Sequence, residues 1–343
     1  MGPHREMGMT ETTVVTVTEP TDVSAARRSA AALAAALDFD ETAAGRVALV
    51  ITEAGTNLVK HAGGGDVLLR GGGRAPGAWV ELLALDRGPG MSNVVRCLQD
   101  GFSTSGSPGT GLGAVRRLAA TFDLYSRPGL GTALLARVNG STGTAPGPGT
   151  LEVEGICVAK PGEDVCGDAF AEDPRADGTS LIVVDGLGHG PFAAEASRAA
   201  VAAFREAVGR RPAQRLERVH QALRSTRGAA VAVADLDLEA RVVRFAGLGN
   251  IAGRILHEEG AVEHLVSQPG TAGHLARGIH EYTYRWPSGA LLVLHSDGVS
   301  THHDLTRYPG LGQRHPALIA GVLLRDAGRG RDDATVVVAR VRP

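Results

Sequence analysis

Four short stretches in the second half of the chain carry acids that could do chemistry together. They are Cys166-Gly-Asp168, Leu181-Ile-Val-Val-Asp185, His295-Ser-Asp-Gly298 and Arg331-Asp-Asp-Ala-Thr335. Each lies against an apolar, largely β-branched run that reads as a strand. Any one of them is plainly read as a strand ending in an Asp-Gly turn. Together they would set four or five carboxylates at neighbouring strand ends, where like charges repel unless a cation neutralises them. Oxygen ligands with no competing His/Cys spacing suit Mg²⁺ or Mn²⁺ rather than zinc. Two such ions sharing a carboxylate could activate water and clamp a phosphate for in-line attack.

The first half holds a different set. Glu53 and Asn57 stand four apart on a predicted helix and so share a face, with Lys60 and His61 one turn on. Asp86-Arg-Gly-Pro-Gly90 follows a strand, where a carboxylate can accept a hydrogen bond from a base amino group. Gly109-Thr110-Gly111-Leu112-Gly113 opens a helix whose amides and dipole could receive phosphates. A single glycine run says little in a chain with Gly 47, but these three features in this order say more.

The elements that must position these residues read as follows. After a disordered start (1–13), a strand is expected at 14–17, and a helix at 25–37 capped by Thr21 or Asp22. A second helix runs over 40–62, strands over 67–70 and 78–85, a helix over 112–121, and strands over 122–126 and 132–138. Residues 139–150, rich in Gly, Pro and Thr, form the linker. Beyond it strands dominate, at 151–159, 168–172, 179–184, 228–235, 241–246, 253–257, 282–286, 291–295 and 334–341. Helices are expected at 191–208, 212–224 and 316–327. This is a two-domain α+β pattern, not a βαβ repeat.

The 343 residues, 43% hydrophobic, suffice for two cores. A net charge of -2 and the lack of a long basic run give no general field for nucleic acid or acidic membrane. Cys97, Cys157 and Cys166 form no CxxC and leave one unpaired, which fits a reducing compartment and no structural zinc. With no long apolar span and no secretory signal, the expected location is the cytoplasm.

The Glu-x3-Asn, Asp-x-Gly-x-Gly and Gly-x-Gly-x-Gly series resembles the GHKL (Bergerat-fold) ATPases over residues 14–138. The details Asp100-Gly-Phe-Ser-Thr-Ser-Gly-Ser-Pro-Gly-Thr-Gly-Leu-Gly113 and Val115-Arg-Arg-Leu118 bring it nearest the RsbT-type switch kinases of stressosomes. The resemblance implies a Bergerat-type α/β sandwich binding ATP with Mg²⁺. Asn57 would hold the ion, and Glu53 would take the proton from an attacking serine. Asp86 would recognise adenine, with Gly88 and Gly90 shaping the pocket and Thr132 backing the contact. Gly109, Thr110, Gly111, Leu112 and Gly113 would cradle the phosphates, and Lys60 could neutralise their charge.

Residues 151–343 resemble the PPM-type serine/threonine phosphatases, in particular the SpoIIE-like bacterial branch and RsbX. The stretches that carry the likeness are Gly155–Lys160, Gly167–Phe170, Asp185–Gly190, Gly247–Asn250, Ser296–Val299 and Asp332–Thr335. An αββα sandwich is implied, with Asp168 and Asp185 binding and bridging two Mn²⁺ or Mg²⁺ ions. The Gly186 carbonyl, Asp297 and Asp332 would complete the set, and Asp333 would support it from behind. His189 could act as general acid for the leaving serine or merely shape its loop. The family's eukaryotic members use an arginine for phosphate near the N-terminal strand; here Lys160 stands nearby in sequence and no clear arginine does, so phosphate capture is expected to rest on the metals alone. His302 and His303 read as solvated.

A kinase-like half and a phosphatase half from one type of circuit imply a bifunctional partner-switching regulator acting on STAS-type antagonist proteins. The alternatives are a phosphatase governed by a non-catalytic ATP-binding or docking domain, and an anti-sigma factor holding a sigma factor directly.

Overall fold

The computed structural model describes residues 11–74, 77–98, 111–140, 151–258 and 260–341. The chain divides into two compact units, residues 1–146 with 313–325, and residues 147–312 with 326–343. The Gly/Pro-rich stretch expected as a linker lies, from residue 141 on, outside the described residues. No helix is long and apolar enough to cross a membrane.

In the first unit, β1 (Thr13–Val17), β2 (Gly65–Gly72), β3 (Trp79–Leu85), β4 (Thr121–Ser126) and β5 (Thr132–Asn139) make an antiparallel sheet in the order β1-β2-β3-β5-β4. The period-2 alternation of β3 sorts its two faces. Val80, Leu82 and Ala84 join a core with α1 (Pro20–Ala36) and α2 (Glu41–Asn57), while Glu81, Leu83 and Leu85 point the other way and are also buried.

Helix α1 buries Val23, Ala26, Ala30 and Ala34, small residues at helical spacing that permit close packing on α2. It starts earlier than the sequence suggests. Glu19 is the cap residue, and Asp22, one turn in, accepts the amides of Thr18 and Glu19 through Oδ2 at 2.9 and 3.0 Å. Asp40 caps α2 by accepting from Ala43 N at 2.7 Å. Two short helices follow, α3 (Val94–Cys97) and α4 (Gly111–Leu118).

The second unit is a sandwich. One sheet contains β7 (Asp168–Arg175), β8 (Gly178–Gly186), β9 (Ala229–Asp237), β10 (Val242–Leu248) and β13 (Ser267–Gln268), with β16 (Tyr282–Arg285) also on β10. The other orders β12 (Val262–Leu265), β11 (Ala252–Leu256), β17 (Leu291–His295), β18 (Ala334–Val341) and β6 (Leu151–Val158). The two-residue strands β14 (Gly270–Thr271) and β15 (Leu275–Ala276) form a separate hairpin. Leu181, Val183, Ala234 and Phe245 from the first sheet meet Ile255, Leu292, Leu294 and Val337 from the second in one core. Helices α5 (Pro191–Glu206) and α6 (Pro212–Ala222) lie on the first sheet, against β8 and β9.

Helix α7 (Pro316–Ala327) falls where the sequence expects a helix, yet its residues up to Arg325 group with the first unit. Every residue from Pro316 to Leu323 is buried, the signature of a helix covered on all sides rather than an amphipathic surface helix. Gly321 faces Leu83 and Leu85 of β3, where an added Cβ would stand 3.3 Å from a Leu85 methyl.

On that same face, Glu81 sits between Arg70 and Arg137, each 2.5 Å away, and both guanidinium groups lie near the Trp79 ring. Removing the carboxylate takes away the buried acceptor that both guanidinium groups share. Glu81→Ala should therefore cost about 3 kcal/mol of first-unit stability. Urea unfolding followed by Trp79 fluorescence, with Trp286 replaced by Phe, measures it, and a loss below about 1 kcal/mol contradicts the assignment.

Candidate active sites

The register of the second unit produces its central feature. Asp168, the first residue of β7, is the cross-strand partner of Asp185 near the end of β8. Like charges placed directly opposite destabilise a sheet. The other acids arrive on two loops. Asp297 follows β17, and Asp332 and Asp333 precede β18, the strand paired with β17.

Ser296 ties these pieces together. Its Oγ donates to Asp168 Oδ2 at 2.6 Å and accepts from Thr335 N at 2.9 Å, while Ser296 N donates to Thr335 O. Asp333 accepts Lys160 N through Oδ1 at 2.8 Å and Gly167 N through Oδ2 at 2.9 Å, so it organises backbone. Asn250 Nδ2 donates to Asp297 Oδ2 at 2.7 Å. Gly298 is required where it stands, because a Cβ there would lie 1.9 Å from Asp333 O.

The electrostatics record the crowding. Burial first, then the neighbouring charges, push Asp185 up to about 8, with Asp168, Asp297, Asp332 and Asp333 all contributing. Burial likewise pushes Asp168 up to about 7, against the hydrogen bond from Ser296. Asp297 and Asp333 are raised as well, burial again leading. Among the described residues, no three His, Cys, Asp or Glu side chains converge tightly enough to enclose an ion alone. The mutual repulsion of the acids calls for a hard cation such as Mg²⁺ or Mn²⁺, which keep several waters and need few carboxylates. The residues present fit such ions, with Asp168, Asp185, Asp297, Asp332 and the Gly186 carbonyl as the candidate ligands.

His189, on the glycine turn after Asp185, is held by Nδ1 against Glu163 Oε1 at 2.6 Å. His302 is exposed as expected, but His303 is not solvated. It packs edge-on against buried His295 at 5.2 Å, and its Nδ1 lies 2.8 Å from Ser300 O. Burial raises the Cys166 thiol pKa, which makes it a poor nucleophile.

In the first unit, Glu53 and Asn57 lie on the last turns of α2, both half-buried. The helix continues past Asn57 as a π-turn, Leu58–Ala62, carrying exposed Lys60, and stops at Gly63 in the left-handed region. Such widened turns recur at functional sites. Asn57 Nδ2 is buried without a hydrogen-bond partner, a vacancy of the kind a bound polar ligand fills.

Asp86, at the end of β3, accepts Gly88 N at 2.8 Å and Thr132 N at 3.1 Å through Oδ1, and burial raises its pKa. Gly131 lets the loop close over it, since a Cβ there would come within 2.0 Å of Asp86 O. Ser126 Oγ meets Thr132 Oγ1 at 3.0 Å and accepts Met91 N at 2.8 Å, so the segment beyond Gly90 is tied to β4. Gly111, Leu112 and Gly113 form the first turn of α4, and among the described residues nothing stands within 4 Å of a Cβ built on Gly111. Gly109 and Thr110 lie outside the described residues. The residues present thus fit a nucleotide, with a buried carboxylate for a base and an open helix start for phosphates. Arg325 of α7 completes this end of the sheet, with Nη1 donating to Asp86 O at 2.6 Å and Thr132 O at 3.3 Å.

The comparisons with known proteins divide at the same place. Residues 16–138 match the histidine kinase-like ATPase domain, and residues 175–342 match the stage II sporulation protein E family. Serine/threonine-protein kinase RsbT of Bacillus subtilis is 32% identical over 128 residues, 37% of this chain and 96% of the relative. The chain belongs to the RsbT-like ATPase family, fused to a SpoIIE-type phosphatase domain. Phosphoserine phosphatase RsbX of Bacillus subtilis is 27% identical over 187 residues, 53% of this chain and 90% of the relative. A crystal structure of RsbX in complex with magnesium superposes with a TM-score of 0.50 at 20% identity, covering 58% of this chain and 98% of that one. The fold is thus a GHKL-type ATPase domain followed by a PPM phosphatase domain.

Sequence reasoning placed the acids but not their supports. Ser296 and Asn250 sit inside stretches it singled out, whereas Glu163 and Arg325 carry no local signal.

Raised carboxylate pKa values have a sign. The folded state holds extra protons, so stability is fully present below the ordinary value of 3.8 and is lost as pH rises through about 7 and 8. His295, pushed down to about 4 by burial, opposes this only below its ordinary 6.5. Metal-free protein should therefore lose several degrees of thermal midpoint between pH 6.5 and 8.5, recovered by Mn²⁺. Asp185→Asn should flatten the profile and remove the Mn²⁺ response, and an unchanged response would refute the ligand set.

Proposed function

We propose that the chain is a partner-switching regulator whose second unit hydrolyses phosphoserine or phosphothreonine on a STAS-type antagonist protein. The cross-strand Asp168–Asp185 pair, joined by Asp297 and Asp332, carries this reading, because at neutral pH a bound cation relieves its repulsion in place of the protons that the raised carboxylates otherwise hold. A pair of divalent ions there would supply an activated water and a clamp for the phosphate. Ser296 fixes the Asp168 carboxylate by its hydrogen bond, and Asp333 fixes the loops beside it through backbone amides. As the water oxygen bonds to phosphorus, the bond from phosphorus to the serine Oγ breaks. His189, with Nδ1 engaged by Glu163, keeps its Nε2 edge for passing a proton to that leaving oxygen.

In the first unit, Asn57 would hold the Mg²⁺ of ATP, Asp86 would accept from the adenine amino group, and Glu53 would take the proton of an attacking hydroxyl. Gly88, Gly90 and Thr132 would shape the base pocket, and Lys60 with Gly109, Thr110, Gly111, Leu112 and Gly113 would meet the phosphates.

The decisive assay offers phosphoserine-bearing STAS protein with Mn²⁺. Asp185→Asn should lower turnover at least about 10³-fold, since the ions would lose one of the candidate carboxylate ligands that hold them. Turnover within tenfold of the wild type would sink the reading.

Arg325 favours a second reading, in which nucleotide in the first unit governs the phosphatase. Its guanidinium holds the carbonyls of Asp86 and Thr132 at the end of the first unit's sheet that would bind the base. Labelled ATP separates the two. Label on the STAS partner, lost in Asn57→Ala, means kinase activity. No label, but a phosphatase rate that responds to a non-hydrolysable ATP analogue in the wild type and not in Arg325→Met, means a sensor.

A further inference from the structure

The sequence offers no arginine for phosphate near the N-terminal strand of the phosphatase unit, but the fold brings one from elsewhere. Arg227 lies just before β9, on the exposed surface. The turn that follows Asp185 is bonded to its neighbour, with Leu187 N donating to Gly228 O at 3.0 Å. Arg227 Nη1 comes within 3.4 Å of where a Cβ on Gly188 would stand, so the guanidinium lies against the glycine turn itself. Its Cζ sits 4.7 Å from the centre of the Phe192 ring, at the start of α5.

Five other arginines of this unit are committed to acids, and Arg329 acts on Asp297 within the cluster. Arg175, Arg211, Arg215, Arg244 and Arg340 each hold a carboxylate. Arg227 has an aromatic face and no carboxylate among the described residues. Stacking fixes the plane of a guanidinium while leaving its N–H edge to a ligand.

Charge balance says what that ligand is. Two divalent ions would neutralise Asp168, Asp185, Asp297 and Asp332 and leave nothing over for a phosphate dianion. A further cation beside the Asp185 turn would supply that charge, and a guanidinium is suited to paired oxygens. Leu187 and Phe192, 53% and 60% exposed on either side, are large apolar groups that a protein substrate would cover.

We propose that Arg227, held over the Phe192 ring, is the substrate-binding residue that takes the anionic oxygens of the phosphorylated segment. The inference rests on the phosphatase reading for its substrate, but its test does not need turnover. In calorimetry on Mn²⁺-loaded protein, Arg227→Ala should weaken inorganic phosphate binding about tenfold or more, and Arg227→Lys should recover part of it. Mn²⁺ affinity and thermal midpoint should stay at wild-type values.

In turnover, KM for p-nitrophenyl phosphate and for phosphorylated STAS protein should both rise by about tenfold, with kcat changed less than about threefold. A rise in KM for the phosphoprotein alone, with phosphate binding unchanged, would assign the guanidinium to a carboxylate beside the phosphoserine, and the anion subsite would stand. If neither phosphate binding nor either KM moves, the proposal is wrong. If the wild type hydrolyses nothing yet phosphate binding falls in Arg227→Ala, the phosphatase reading fails and the subsite survives.

Discussion

Two carboxylates facing each other across a β-ladder are a constraint that the rest of the second unit must accommodate. The register pairing Asp168 with Asp185 also pairs the apolar residues behind them, Ala169 with Val184 and Phe170 with Val183. The acids cannot slip apart without turning core residues to the other face. The sheet therefore holds a repulsive pair in place by hydrophobic packing, and a cation is what makes that arrangement favourable. Asp297, Asp332 and the Gly186 carbonyl are brought to the same end of the sandwich by neighbouring strands, and Ser296 bonds one strand end to the other.

The first unit uses a different device for its own site. Backbone approaches so closely around Asp86 that side chains are excluded at Gly131, leaving a buried carboxylate with its amide donors fixed. A π-turn follows Asn57, and Asn57 Nδ2 is buried without a hydrogen-bond partner. Both units thus keep polar groups in states that folding alone would not favour, which is the usual mark of a site built for a ligand.

Much of this was legible in the sequence because strands and acids leave local marks. The β8 run Leu181–Val184 ends visibly in Asp185, and 316–327 reads as a helix without help. The partners of α7 were not legible. Its uniform apolarity says that it is covered all round, but not that residues up to Arg325 belong with the ATPase sheet. Nor could spacing show that Glu163 would reach His189 or Arg227 the Gly188 turn, since both depend on loops that return from distant elements. His303 was misread for the same reason, its cover being the His295 ring on another segment.

The claim underneath all of this is that the acid cluster is a metal site. Calorimetric titration of metal-free protein with Mn²⁺ at pH 7.5 tests it most directly. The account predicts saturable binding of a pair of ions, released protons from the raised carboxylates, and loss of both in Asp185→Asn. Absence of binding, or binding that Asp185→Asn leaves unchanged, would contradict it.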